Sequence, residues 1–293
     1  MIMLYPFTKE VVMKVLRKGN LIEIESQNDF DIGQILECGQ VFSFYKKDYG
    51  YVVVSMDKVA HIFCNGNKTT IQTNDVEYFW HYFDLDTDYD KIRGKIKEYY
   101  PQFDKFWQGG ENIRILRQDA FQTIISFIVS ANNNIARIKK ILNNISKKFG
   151  QEIEEGVYSF PTLDQLKGAT KEDFSQAGAG YRSEYLVKTI QCLQQEEFDI
   201  SKMAQLSTKD LRERLLLLSG VGGKVADCIL FFGFGRSDSF PVDTWIRKAY
   251  YLFCSTPRND KEISKYFLGI FKEVSGYAQQ YIFNFMINFR EVA

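Results

Sequence analysis

Leu218-Ser219-Gly220-Val221-Gly222-Gly223-Lys224-Val225-Ala226-Asp227-Cys228 constrains the chain more than any other stretch, because few backbone arrangements satisfy it. An apolar helical pattern ends at 215–218, glycines follow, and Lys224 opens a second apolar helical pattern. Glycines at 220 and 222 reach positive φ at no steric cost, so the segment reads as a hairpin whose amides converge at the N-terminus of the second helix. Converging N–H groups of this kind suit a phosphate. Nineteen residues after Lys224, Phe240-Pro241-Val242-Asp243-Thr244-Trp245 supplies a proline-fixed turn with Asp243 at an expected helix N-cap. If the two helices pack together, a carboxylate lies near an amine.

The rest of the chain divides around this feature. Short runs of β-branched and aromatic residues at 21–25, 41–45, 51–56, 59–64 and 69–73 are separated by turn signals such as Asp48-Tyr49-Gly50 and Asn65-Gly66, which predicts an antiparallel sheet. The spacing becomes helical at 75–83 and 89–99, and Gly109-Gly110 is a candidate boundary. Helices are expected at 120–131, 134–149, 171–177, 182–196, 208–218, 223–233, 243–254, 260–274 and 276–290. The fold class is therefore α+β: an N-terminal antiparallel sheet domain (residues 1–110) precedes a larger helical domain (111–293) with the helix-hairpin-helix at about 208–233.

Charge narrows the use of the hairpin. The formal net charge is zero, which argues against a globally basic nucleic-acid binder. Residues 1–110 hold 13 Lys+Arg against 16 Asp+Glu, so 111–293 carry a small positive excess, and any DNA contact belongs to local groups and helix ends there. Five cysteines, Cys38, Cys64, Cys192, Cys228 and Cys254, form no C-x-x-C pair, so neither a zinc site nor an iron-sulfur cluster is readable and no metal or cofactor is expected. An odd, dispersed set is expected as reduced thiols in a cytoplasm. His61 and His81 are the only histidines, too few for a histidine metal site or triad. Neither a signal-peptide pattern nor a run of about 18 apolar residues is present, so a protein without a membrane partner is expected.

Four further spots each admit a plain structural account. Gly39-Gln40-Val41-Phe42 enters a strand, where Gly39 fits a bulge and Phe42 the core. Asn132-Asn133-Asn134 breaks one helix and caps the next ahead of Arg137, although one asparagine is enough for a cap. Gly178-Ala179-Gly180-Tyr181-Arg182 fits a C-cap glycine pair followed by a surface arginine, or equally an aromatic wedge for a duplex from which a base has been removed. Gln279 and Phe283, four residues apart, share a helical face, as do Lys224 and Cys228. Phe283 alone fits a core, whereas an amide beside a ring can clamp and read a purine.

These strings together resemble the helix-hairpin-helix DNA glycosylases with a Gly/Pro-rich loop and catalytic aspartate, and among them the 8-oxoguanine DNA glycosylases of the eukaryotic type, from about Phe30 to the C-terminus. The resemblance implies a base-excision enzyme, an N-glycosylase and abasic-site lyase. Lys224 is its nucleophile and Asp243 stabilises charge on the sugar. Gly39 offers its carbonyl to the damaged base, Cys228 packs on one purine face, and Gln279 and Phe283 read and clamp it. Asn132 fills the gap left by the extruded base, Tyr181 is the wedge, and Arg137 and Arg182 donate to the widowed cytosine. Gly220 and Gly222 hold the DNA backbone. One departure is Trp245, where the family often carries a phosphate-binding histidine. The implied partner is double-stranded DNA containing 8-oxoguanine opposite cytosine, bound by a monomer in the cytoplasm, at the nucleoid of a bacterium or in the nucleus of a eukaryote. Alternatives are a related glycosylase with another damaged-base target and a noncatalytic DNA-binding module. The adenine-removing relative normally has an iron-sulfur cluster and lacks the hairpin lysine, the reverse of this chain, and a binding module has no need of Lys224 with Asp243.

Overall fold

The structure is a computed structural model that describes residues 13–25 and 29–288. Six strands, β1 (Lys14–Lys18), β2 (Leu21–Glu25), β3 (Phe44–Lys47), β4 (Gly50–Ser55), β5 (Lys58–Asn65) and β6 (Lys68–Thr73), form one antiparallel sheet in the order β1-β2-β6-β5-β4-β3. Period-two alternation sets its faces: Ile22 and Ile24 point into the core while Glu23 and Glu25 point out. Helices α1 (Ile32–Glu37) and α2 (Val76–Tyr82) cover the inner face, bringing Ile32, Ile35, Leu36, Phe79 and Tyr82 onto Val53, Ile62 and Ile71. Strand β1 and helix α1 were not expected. α1 is capped by Asp31, whose side chain accepts from the Gln34 amide at 2.9 Å.

The helical body follows α3 (Tyr89–Tyr99) and comprises α4 (Ala120–Ser130), α5 (Ile135–Phe149), α6 (Leu163–Leu166), α7 (Lys171–Gln176), α8 (Arg182–Leu193), α9 (Ile200–Ala204), α10 (Thr208–Leu215), α11 (Gly223–Phe234), α12 (Thr244–Tyr250), α13 (Asp260–Phe271) and α14 (Ser275–Asn288), with a small hairpin of β7 (Glu152–Glu154) and β8 (Val157–Tyr158) after α5. Residues 289 and 290 of the expected last helix lie outside the described residues. Helix α4 is buried on every side from Phe121 to Val129 and packed on α11; fully buried side chains such as Ile124, Ile128 and Ile229 contribute about 1.5–3 kcal/mol each relative to exposure. The chain crosses between the two hydrophobic cores gradually: Ile96, Phe103 and Phe106 already belong to the helical core, while Leu116 returns to that of the sheet. Between 38 and 43 the crossing is immediate, with Val41 in the sheet core and Phe42 in the helical one. The expected strand at 41–45 starts only at Phe44: before it, Gln40 donates to Arg114 and the Cys38 carbonyl accepts from Gln280, and contact with β4 begins where the Ser43 carbonyl accepts from the Val54 amide at 3.0 Å.

Candidate active site

The hairpin between α10 and α11 is fixed from three sides. Gly220 has φ +83°, and a Cβ there would fall 2.8 Å from Cδ2 of Tyr185, so conformation and space both demand glycine. Thr189 on α8 donates to the Ser219 carbonyl at 2.9 Å, and Arg212 on α10 holds the buried Asp227 on α11 at 2.6 Å. Gly222 does not take the positive φ expected of it: it is the N-cap of α11 at φ −90°, ψ 179°, extended backbone open to any residue type. It is exposed, with open space where a Cβ would stand, beside the first-turn amides that an α-helix leaves without intrahelical acceptors.

Lys224, one residue into α11, is half-buried and its Nζ lies 5.5 Å from the centroid of the Phe127 ring. Phe127 stacks parallel on Phe232 at 5.5 Å and meets Phe42 edge-on at 5.7 Å, so the amine rests on an aromatic wall built from α4, α11 and the segment after Gly39. One turn further, Cys228 is 3% exposed; burial pushes its thiol up to about 11, against an opposing pull from Lys224, so the sulfur stands as a neutral thiol. Asp243 caps α12 through a 2.8 Å bond from the Ile246 amide to its Oδ1. Burial raises its carboxyl above the usual range, opposed by that amide and by the charge of Lys224. Capping and facing the amine thus coincide in one side chain.

Gly39 stands opposite Phe283: a Cβ at Gly39, which has φ +83°, would lie 3.3 Å from Cε1 of that ring. Its flanks are immobilised. Gln280 on α14 donates to the Cys38 carbonyl at 2.8 Å, and the fully buried Gln40 amide donates to the carbonyls of Ile35 and Arg114 at 2.8 Å while accepting from the Leu116 amide at 2.9 Å. Gln279, the neighbour of Gln280, is 5% exposed, and its Oε1 finds no hydrogen-bond partner among the described residues. A buried acceptor left in that state costs about 1–3 kcal/mol, which a ligand donor would recover.

A second group of residues lies between α4, α5 and α8. The three asparagines divide the work: Asn134 caps α5 by accepting from Arg137 N at 2.9 Å, Asn133 donates to the Val129 carbonyl at 3.1 Å, and Asn132 takes φ +49°. That left-handed conformation costs a non-glycine residue on the order of 1 kcal/mol, asparagine least. Tyr181 is 55% exposed and edge-on to Tyr185 at 5.9 Å, which joins the expected wedge to the hairpin. Arg137 is exposed; its Nη2 would lie 3.9 Å from a Cβ on Gly180. Arg182 departs from the expectation of a second free donor: it is 2% exposed, with its guanidinium bonded to the carbonyls of Ala131, Asn132 and Ala179. The Lys248 ammonium lies 4.9 Å from the Trp245 ring centroid.

Sequence reasoning passed over Phe127, Phe232, Gln40, Gln280 and Tyr185. Phe127 and Phe232 look like ordinary core residues, and only their i, i+4 relation of Phe232 to Cys228 hinted at a shared face. The two glutamines act through contacts 74 and 242 residues apart, for which no local signal exists.

Residues 22–124 match the family model of the 8-oxoguanine DNA glycosylase N-terminal domain, and residues 125–273 that of the HhH-GPD superfamily base excision DNA repair protein. The N-glycosylase/DNA lyase OGG1 of Arabidopsis thaliana is 33% identical over 198 residues, 62% of this chain and 54% of that protein. The N-glycosylase/DNA lyase of Saccharomyces cerevisiae is 37% identical over 155 residues, 47% of this chain and 41% of its own. The matches thus span about half the length of these curated relatives. The crystal structure of Clostridium acetobutylicum 8-oxoguanine glycosylase/lyase with double-stranded DNA containing cytosine opposite 8-oxoguanine superposes with a TM-score of 0.88 at 35% identity, over 95% of this chain and 98% of that one. Two adjoining family matches that run from residue 22 to residue 273, with a solved relative 35% identical that the chain covers to 98%, make the chain a member of the 8-oxoguanine DNA glycosylase family within the HhH-GPD superfamily of base excision DNA repair proteins.

Proposed function

We propose that the protein excises 8-oxoguanine from duplex DNA, opposite cytosine, and then cleaves the abasic strand. The observation that carries the reading is the convergence of Cys228 and Asp243 on the Lys224 amine, which lies over the Phe127 ring, with Phe42 against that ring three residues after Gly39 and Gly39 opposite Phe283. A base cannot be reached inside a stack, so the nucleotide is extruded at a cost of a few kcal/mol. Hairpin amides at 220–223, Arg137 and the inserted Tyr181 offset that cost. The neutral amine of Lys224 attacks the anomeric carbon, the glycosidic bond breaks, and the base leaves with its bonding electrons and takes up a proton. Asp243 stabilises the positive charge that develops on the sugar. The attached nitrogen then loses a proton as the C1′–O4′ bond of the sugar ring breaks, O4′ leaving as a hydroxyl, and an imine results; loss of a proton from the sugar carbon next to it expels the 3′ phosphate. In the base pocket, Gln279 supplies its orphaned acceptor, Phe283 and Cys228 flank the purine, and the Gly39 carbonyl accepts the hydrogen that 8-oxoguanine carries where guanine has a lone pair.

The test is incubation with a duplex holding one 8-oxoguanine opposite cytosine, with borohydride present. A covalent adduct and strand cleavage are expected, with neither on the undamaged duplex; a protein that binds but yields neither would refute the reading. Gly39→Ala separates recognition from chemistry. Its methyl group meets Phe283 at 3.3 Å in a backbone conformation strained for alanine, so 8-oxoguanine excision is expected to fall by about tenfold to a hundredfold. Cleavage of a preformed abasic site, which presents no base, should change little. Equal loss of both activities would reduce Gly39 to a structural residue.

A further inference from the structure

Gln279 and Gln280 stand side by side on α14 and have different tasks. Gln279 carries the orphaned acceptor, whereas Gln280 is 2% exposed and its Nε2 donates to the Cys38 carbonyl at 2.8 Å, across 242 residues of sequence. That carbonyl and the Gly39 amide belong to one planar peptide, so the bond holds the plane by which the chain enters Gly39. The chain beyond Gly39 is held as well. The Gln40 carbonyl accepts from Gln118 Nε2 at 2.8 Å, and the Gln40 side chain is bonded to Ile35, Arg114 and Leu116. These anchors run to different parts of the molecule. Gln40 and Gln118 tie the segment to α1 and to residues 114–118; of the bonds named, the one from Gln280 alone reaches α14. On that helix Gln280 is one residue from Gln279 and three from Phe283, the ring that stands 3.3 Å from where a Gly39 Cβ would lie.

From this geometry we infer that Gln280 is a positioning residue that sets the width of the base slot, by referring the Gly39 carbonyl to the helix that carries Gln279 and Phe283. The inference rests on the proposed reading of Gly39 as the group that accepts from the damaged base. The two sides of the slot are then measured from one helix: Gln279 and Phe283 belong to it, and Gly39 is fastened to it through Cys38. The width matters because a carbonyl gains from an N–H only at hydrogen-bond distance and alignment, and the gain fades steeply outside them. A slot held at one width before a base enters also costs less ordering when the base binds.

The experiment measures single-turnover excision of 8-oxoguanine and cleavage of a preformed abasic site by wild type, Gln280→Met, Gly39→Ala and the Gly39→Ala/Gln280→Met pair. Methionine keeps the length of the side chain and removes the donor. Gln280→Met is expected to lower excision by about tenfold while abasic-site cleavage stays within about twofold of wild type. The pair should excise within about twofold of Gly39→Ala alone, since both changes act through one carbonyl. A merely structural stitch would instead lower both activities together and multiply with Gly39→Ala. Borohydride trapping on the abasic site reports that each variant is folded with its nucleophile intact. If Gln280→Met does not fold, Gln280→Asn, which keeps the amide but falls one methylene short of the Cys38 carbonyl, should show the same loss confined to excision. Equal loss of both activities, undiminished excision, or multiplying losses in the pair would overturn the inference. A wild type that neither excises nor traps would strike the proposed function itself.

Discussion

Lys224→Gln is expected to abolish the borohydride-trapped adduct and to lower strand cleavage by roughly three orders of magnitude or more, the scale of losing a nucleophile. Glutamine preserves much of the side-chain length on the Phe127 face, so the fold and the damaged-duplex affinity should survive. Removing the charge also removes the pull that opposes burial at Cys228 and Asp243, so both groups should titrate still higher than in the wild type. An adduct that persists in this variant would assign the nucleophile elsewhere.

Asp243→Asn should cut single-turnover excision by about a hundredfold to a thousandfold while leaving affinity within a few-fold, because the charge it is proposed to stabilise exists only as the glycosidic bond breaks. The choice of asparagine is what isolates the effect. Asparagine caps a helix as well as aspartate, so the bond from Ile246 N is retained and the melting temperature should barely move. The pH profile gives an independent reading. Burial raises the Asp243 carboxyl, so the acid limb of the wild-type rate should lie above the ordinary carboxylate range and vanish in the variant. The linked effect on stability has the opposite sense from that of a salt-bridged acid. With the folded-state value raised, this group favours folding below its unfolded value, and that contribution disappears as pH rises through the folded value.

Local chemistry made most of the fold readable. Strands β2 and β4 through β6 lie within a residue or so of where alternation and turn residues put them, and α3 spans its expected range. The discrepancies share a cause. The expected helices at 208–218 and 243–254 stop at Leu215 and Tyr250, since apolar residues beyond those points continue the periodicity while their backbone tightens into i→i+3 bonds such as Leu218 N to Leu215 O and Phe253 N to Tyr250 O. Arg182 looked like a surface donor because nothing in its neighbours reveals that carbonyls from a segment 51 residues earlier enclose it. Lys224, Asp243, Gly39 and Phe283 were singled out by their motifs and by the resemblance those carry, and the structure adds what motifs lack: the ring beside Lys224 and the bond from Gln280 that holds the residue before Gly39.

The segment around Gly39 is tied to the sheet body through Gln40 and to the last helix through Gln280, so it cannot loosen without disturbing both cores. An enzyme that patrols genomic DNA meets undamaged guanine in enormous excess, and its most dangerous partly unfolded form is one that still cuts but no longer discriminates. Here the group proposed to discriminate is stitched into the same cooperative unit that keeps Phe42 against Phe127 and so shapes the floor beneath Lys224. Heat or denaturant should therefore silence this protein before it makes it promiscuous.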